Sequence, residues 1–290
     1  MTHPTADDVL RGVDLTGRTA IVTGGTSGIG LETCSALARA GATVVAATRN
    51  PSTVAGIDVR RLDLADLDQV RDFAAGFDAV DILIANAGVM ACPLTRVGPG
   101  WEAQFAINHL GHFALVHHLW PALLRGRDAR VVVVSSNAVP DAPIRWDDPH
   151  FTTGYDKWQA YGQSKAANAL FAAHLDLLGQ AAAGVRASST HPGAILTPLQ
   201  RHLTRDEMLA AGWIDEAGQA APYFKTPAQG AATQVWAATN DAAAGRHCND
   251  CAVTPFRPSP ADASRLWALS ASLTGLSPTL AAGPAARAHG

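Results

Sequence analysis

The chain has 290 residues, of which 48% are hydrophobic and 16% charged, ample for a buried core and too rich in apolar side chains for general disorder. A formal net charge of −3 argues against a nucleic-acid partner. No apolar run approaches the roughly 18 residues of a membrane span. The opening MTHPTADDVLRGVDLTG also lacks the charged-then-apolar design of an export signal, so a cytoplasmic location is expected.

Apolar strands alternate with amphipathic or Ala-rich helices from residue 19 to about residue 275. A strand is expected at 19–23, a helix at 29–40 ended by Gly41, then strands at 43–48 and 57–61. A helix at 66–75 and a strand at 81–85 follow, then a long helix from about 100 to 124. A strand at 130–135, a helix from about 155 to 178 and a strand at 185–190 continue the rhythm. Runs this continuous in Val, Ile and Ala suit parallel strands covered on both faces. The expected fold is therefore α/β: a three-layer, Rossmann-type doubly wound parallel sheet in a single domain over 17–275. Residues 1–16 read as an N-terminal extension and 276–290, rich in Ala, Pro and Gly, as a flexible tail. Two long connections interrupt the pattern, a polar insertion at 137–154 and a segment at 197–225 carrying Trp213 and Tyr223. Connections of that length inside a domain are usually functional, and 197–225 is expected to be a substrate lid.

The first strand runs into TGGTSGIG, Thr23 to Gly30, which opens a helix. That context suits phosphate binding: Gly24 permits a sharp turn, Gly28 lets backbone approach a pyrophosphate, and Gly30 allows tight helix–strand packing. The helix N-terminus then offers unpaired N–H groups to the anion. Farther on, Tyr161 and Lys165 stand four apart in AYGQSKAANALF and share a helix face. A phenol of pKa about 10 is a poor acid or base at neutral pH, and a neighbouring ammonium favours its ionised form. A dinucleotide turn with a Tyr–Lys pair points to a nicotinamide-dependent oxidoreductase.

The order of TGxxxGxG, Asn-Ala-Gly at Asn86–Gly88, Ser136, Tyr161 and Lys165 resembles the short-chain dehydrogenase/reductase family over about residues 17–275. FAINHLGHFAL, VVVVSS, AYGQSKAANALF, HPGAILT and DCAV look most like the branch holding retinol dehydrogenases and light-dependent protochlorophyllide reductases. The resemblance implies Tyr161 as general acid in reduction and base in oxidation, and Lys165 as holder of the nicotinamide ribose that depresses the Tyr161 pKa. It implies that Ser136 orients the substrate oxygen. It also implies that Asn108 positions a water linking the lysine to solvent, although Asn108 could equally cap or kink its helix. Ser135 is the rival of Ser136, since neighbouring strand residues face opposite ways. The offset to Tyr161 in that branch favours Ser136.

By the same resemblance, Thr26, Ser27 and Ile29 join the glycines at the cofactor, with Asp63 and Leu64 beside the adenine and Asn86, Ala87 and Gly88 along the central strand. Pro192, Gly193, Ile195 and Thr197 would hold the nicotinamide amide. At the end of the second strand, VVAATRNP places Thr48 and Arg49 where an acid would select NAD. A guanidinium there can pair with a 2′-phosphate, so NADP(H) is favoured over NAD(H).

The expected reaction interconverts a ketone or aldehyde with an alcohol. Leu196, Leu199, Leu203, Met208, Leu209, Trp213 and Phe224 in or beside the lid suggest an apolar, medium-to-bulky substrate. The alternative is an NADP(H)-binding regulatory sensor without turnover. No metal is expected: Cys248 and Cys251 in CNDC lack further ligands, and His109 and His112 have no carboxylate to complete a site. His191 reads as a packed strand-end residue. A homodimer or homotetramer through the helices at 100–124 and 155–178 is implied by resemblance.

Overall fold

A computed structural model describes residues 3–136, 143–182 and 184–280. Its strands are β1 (Thr19–Thr23), β2 (Thr43–Thr48), β3 (Asp58–Arg61), β4 (Ile82–Ala85), β5 (Arg130–Val134), β6 (Arg186–His191), β7 (His247–Asn249) and β8 (Ala252–Val253). They form one sheet in the order β8-β7-β6-β5-β4-β1-β2-β3, parallel throughout except where β8 folds back on β7. The helices are α1 (Ala6–Val9), α2 (Gly28–Arg39), α3 (Leu67–Ala74), α4 (Gly111–Arg125), α5 (Lys157–Ala181), α6 (Arg205–Ala210), α7 (Pro227–Thr239) and α8 (Pro260–Thr274).

Strand alternation divides the core in two. Ile21, Leu83, Val131 and Val133 pack against α3, α4 and α5, whereas Val22, Ile82, Ile84 and Val132 pack against α2 and α7. Each of these side chains is buried, and each contributes about 1.5–3 kcal/mol relative to exposure. Strand order reverses between β1 and β4, so their C-terminal ends open a crevice. The loops after both strands lie there.

The expected helix at 100–124 is the largest local departure. A two-stranded hairpin, Arg96–Val97 with Trp101–Glu102, precedes it, and its first turns are a short α segment (Ala103–Phe105) and a π turn (Ala106–Leu110). The cause is Asn108, whose amide bonds both Val89 N–H (2.8 Å) and Val89 C=O (2.9 Å) instead of facing solvent. One turn on, a Cβ at Gly111 would lie 2.2 Å from Leu64 O, so only glycine lets this helix approach so closely.

The described residues at both ends pack on the domain. Ala6, Leu10 and Leu15 are buried in the core, with α1 against α7, so the stretch before Gly17 is integral. Residues 276–280 are docked: Trp267 Nε1 donates to Pro278 O at 2.7 Å, and Leu276 and Leu280 pack on the core. Residues 281–290 lie outside the described residues, as do 137–142 of the polar insertion. The rest of that insertion packs, with Ile144 and Phe151 buried and Arg96 donating to the carbonyls of His150 and Phe151.

The helices expected to join subunits are covered by their own chain. Helix α8 lies along α5, with Trp267 stacked on Phe171 (5.8 Å) and edge-on to Phe113 of α4 (4.9 Å). Association through that face would have to displace it. Among the described residues no helix is long and apolar enough to cross a membrane.

Candidate active site

The crevice is a cleft of about 950 Å³. Its floor begins where β1 ends. Gly24 turns at φ +67°, and a Cβ there would sit 3.1 Å from Ala87 Cα, so this turn and the Asn86–Gly88 loop are in backbone contact. A Cβ at Gly30 would lie 2.2 Å from Gly24 O, closing the helix start onto the turn. Ser27, at the N-cap of α2, makes no side-chain cap bond. Asp66, Asp156, Thr226 and Ser259 do cap α3, α5, α7 and α8. The first N–H groups of α2 therefore remain available to an anion in the cleft.

The Asn86–Gly88 loop is held by a chain of bonds that sequence reasoning missed. His112 Nδ1 contacts Asn108 O at 2.9 Å, and its Nε2 contacts Thr23 Oγ1 at 2.8 Å. A carbonyl can only accept, so Nδ1 carries the proton and Nε2 accepts from the threonine hydroxyl. Burial pushes the His112 pKa down to about 4, consistent with a neutral ring. Thr23 Oγ1 in turn accepts from Asn86 N and Ala87 N, each at 2.9 Å. His109 bonds Ser270 Oγ at 2.7 Å. Both rings thus take part in the hydrogen bonding of the core, and no group of three or more potential metal ligands occurs among the described residues. Cys248 is buried, Cys251 half-buried, and both are free thiols.

Tyr161 and Lys165 project from α5 into the same cleft, with Lys165 Nζ 5.7 Å from the Tyr161 ring centroid. Lys165 Nζ donates to Val134 O at 3.0 Å. Burial pushes the Tyr161 phenol up and pulls the Lys165 ammonium down to about 8. Desolvation is the cause of both shifts. Both serines line the cleft: Ser135 is buried and donates to Lys165 O at 2.6 Å, and Ser136 is half-buried just beyond the end of β5.

All the expected cofactor residues, from Gly24, Thr26, Ser27, Gly28, Ile29 and Gly30 through Arg49, Asp63 and Leu64, line the cleft. So do Asn86, Ala87, Gly88, Pro192, Gly193, Ile195 and Thr197. Asn108 does not. It sits one layer behind, bonded to Val89 and to Ser164 Oγ (2.8 Å), although its Oδ1 would lie 3.0 Å from a Cβ at Gly88.

The segment 197–225 begins across the glycine turn, for a Cβ at Gly28 would meet Thr197 Cβ at 3.1 Å. It continues through a 3-10 turn (Pro198–Gln200) and α6, neither with a buried residue. Leu199, Trp213 and Phe224 line the cleft, as does Tyr223, but Leu196, Leu203, Met208 and Leu209 do not. Trp158 of α5 stands edge-on to Trp213 (6.0 Å), which meets Phe224 (6.0 Å), so aromatic rings form one wall of the mouth. An ion pair of Lys157 and Glu207 ties the segment to the first turn of α5.

The model of the short chain dehydrogenase family matches residues 18–208. A protein of Streptomyces antibioticus named "Probable oxidoreductase" is 48% identical over 241 residues, covering 77% of this chain and 80% of its own. Retinol dehydrogenase 12 of Bos taurus is 37% identical over 289 residues, covering 91% and 88%. Among solved structures, an uncharacterized protein from Mycobacterium Paratuberculosis superposes with a TM-score of 0.77 at 34% identity, over 96% of this chain and 100% of that one. The RhlG/NADP active-site complex of Pseudomonas aeruginosa does so with a TM-score of 0.63 at 25% identity, over 81% and 95%. With its glycine turn, Tyr–Lys helix and doubly wound sheet, the chain belongs to the short-chain dehydrogenase/reductase family of NAD(P)-dependent oxidoreductases.

Proposed function

We propose that this chain interconverts a ketone or aldehyde and an alcohol on an apolar, medium-to-bulky substrate with NADP(H), Tyr161 being the general acid and base. The observation that carries this reading is the shared cleft: Tyr161, Lys165 and Ser136 stand on one wall of the space that also holds the glycine turn and Arg49. The nicotinamide, when bound, supplies or accepts the hydride. The residues around it do the rest. Gly24 to Gly30 and the uncapped start of α2 bind the pyrophosphate, and Pro192, Gly193, Ile195 and Thr197 hold the amide end. Ser136 donates to the substrate oxygen, and Tyr161 Oη hands its proton to that oxygen in reduction or takes it in oxidation. Lys165, close to the ring, stabilises the phenolate that results. Asn108 fixes the Val89 backbone beside Gly88 and so sets the floor under Lys165.

Two features support the phosphate and the substrate class. Arg49 is joined in the cleft by Arg201, whose pKa is lowered by burial and by the nearby Arg49 charge. Among the described residues neither guanidinium pairs with a carboxylate. A doubly charged phosphate suits such a pair. The aromatic wall of Trp158, Trp213 and Phe224 suits a bulky apolar substrate, as does similarity to proteins named retinol dehydrogenases.

The test is a panel of carbonyls with NADPH and NADH, followed by loss of nicotinamide absorbance. Turnover with NADPH and large apolar carbonyls is expected, and Arg49→Ala should raise the KM for NADPH about 10- to 100-fold while barely moving that for NADH. Binding of NADPH without consumption by any carbonyl would favour a sensor instead.

A further inference from the structure

Gly193, in the turn assigned above to the amide end of the cofactor, has φ +99° and is backed by a lysine rather than by the sheet. A Cβ at Gly193 would lie 2.9 Å from Lys225 Cδ and Cε and 3.0 Å from Nζ. The Lys225 side chain is only 7% exposed and spans the rear of the turn. Its ammonium reaches Pro192 O at 3.4 Å and makes an ion pair with Asp250, while its backbone N–H donates to Ala194 O at 2.8 Å. Asp250 occupies the tight connection between β7 and β8 at φ +49°, a left-handed conformation that aspartate tolerates better than most residues. Its Oδ1 also lies 3.4 Å from His3 Nδ1, and Gln229 Nε2 of α7 donates to His3 O at 3.2 Å. The CNDC segment thus supplies, through Asp250, the anchor for a side chain packed along the back of this turn.

We propose that Lys225 and Asp250 are a positioning pair that sets the Pro192–Gly193–Ala194 turn at the height the nicotinamide ring requires and fastens the end of the 197–225 segment to it. The inference rests on the cofactor reading above. Neither residue is asked to touch substrate or to move a proton. The ammonium holds one carbonyl of the turn, the stem fills the space a Cβ at Gly193 would take, and the carboxylate fixes the ammonium. Loss of the pair leaves the glycine turn after β1 and Arg49 untouched, so only the nicotinamide half of the cleft should loosen.

The experiment measures dissociation constants of the full chain for NADPH and for adenosine 2′,5′-bisphosphate, which keeps the phosphorylated ribose but lacks the nicotinamide. Asp250→Asn removes the charge at a half-exposed hairpin, and Lys225→Met keeps the stem while deleting the ammonium. Both variants should bind NADPH about tenfold more weakly and bind the fragment within about twofold of wild type. A positioning defect also predicts a fall in kcat, because a displaced ring is misaligned for reaction, and Lys225→Arg should recover part of both losses. Equal weakening of NADPH and fragment, or no weakening of either, overturns the proposal. Should one variant fail to fold, the other decides by the same comparison. Failure of the wild-type chain to bind NADPH more tightly than the fragment overturns the cofactor reading and this inference together, and is recognisable because it precedes any substitution.

Discussion

Tyr161→Phe is expected to lower kcat/KM for carbonyl reduction by about 10²–10⁴-fold while leaving NADPH affinity within about twofold of wild type. The substitution deletes one oxygen from a ring whose position is set by α5, so the cleft keeps its shape. That oxygen is the group assigned to pass a proton to the substrate, and burial pushes its pKa up, so the phenol is protonated near neutral pH. Steady-state kinetics alongside fluorescence titration of NADPH separates the two quantities. A loss of binding as large as the loss of turnover would assign Tyr161 to the cofactor instead of the chemistry.

Lys165→Met should move stability and activity in opposite directions. Lys165 is buried and its pKa falls to about 8, so folding near neutral pH carries an ammonium into the core at a penalty on the order of 3 kcal/mol. Methionine removes that penalty, and Val134 O keeps the Asn168 Nδ2 bond at 2.9 Å when the lysine is gone. The variant should therefore melt above wild type near neutral pH. The pH dependence has a definite sign. Between the folded value of about 8 and the ordinary lysine value, the unfolded chain holds a proton that the folded chain has released, so wild-type stability rises with pH through that window. Below it the penalty is fully present. The advantage of the variant should therefore shrink as pH climbs from about 8 toward 10. Activity should fall about 10²–10³-fold, because the ammonium close to the ring is lost as an electrostatic partner of the phenolate. Thermal melts across pH and kcat/KM at one pH check both halves, and a variant less stable than wild type near neutrality would contradict the account.

The sheet was legible because β1, β4 and β5 are continuous apolar runs whose neighbours on both faces are helices of matching period. The glycine turn was legible for a similar reason: glycine, a strand before and a helix after are all local. What sequence did not expose depends on partners far along the chain. The π turn at Ala106–Leu110 arises because Asn108 captures Val89, and no periodicity in 100–124 announces that capture. Ala6, Val9, Leu10, Val13 and Leu15 are scattered apolar residues in a polar stretch, made integral by the surface that α2 and α7 offer them. The same holds within the cleft. The spacing of Tyr161, Lys165 and Ser136 could be read directly, whereas the bond from Ser135 to Lys165 O could not. Arg201 and the Lys225–Asp250 pair gave no local signal at all, since Arg201 meets Arg49, and Lys225 meets Asp250 and the turn at Gly193, only through the fold. The apolar set of the 197–225 segment shows the limit of composition: Leu199, Trp213 and Phe224 face the cleft, whereas Met208 and Leu209 do not.

The central claim is that this cleft brings a nicotinamide and a carbonyl together so that hydride and proton arrive at the same C=O group. It is tested most directly by incubating the wild-type chain with NADPH deuterated at C4 and a large apolar ketone, then analysing the alcohol by mass spectrometry and NMR. The account predicts deuterium on the new carbinol carbon from a single face of the nicotinamide, and none from solvent at that carbon. An alcohol formed without the label, or label scrambled between both cofactor faces, would contradict it.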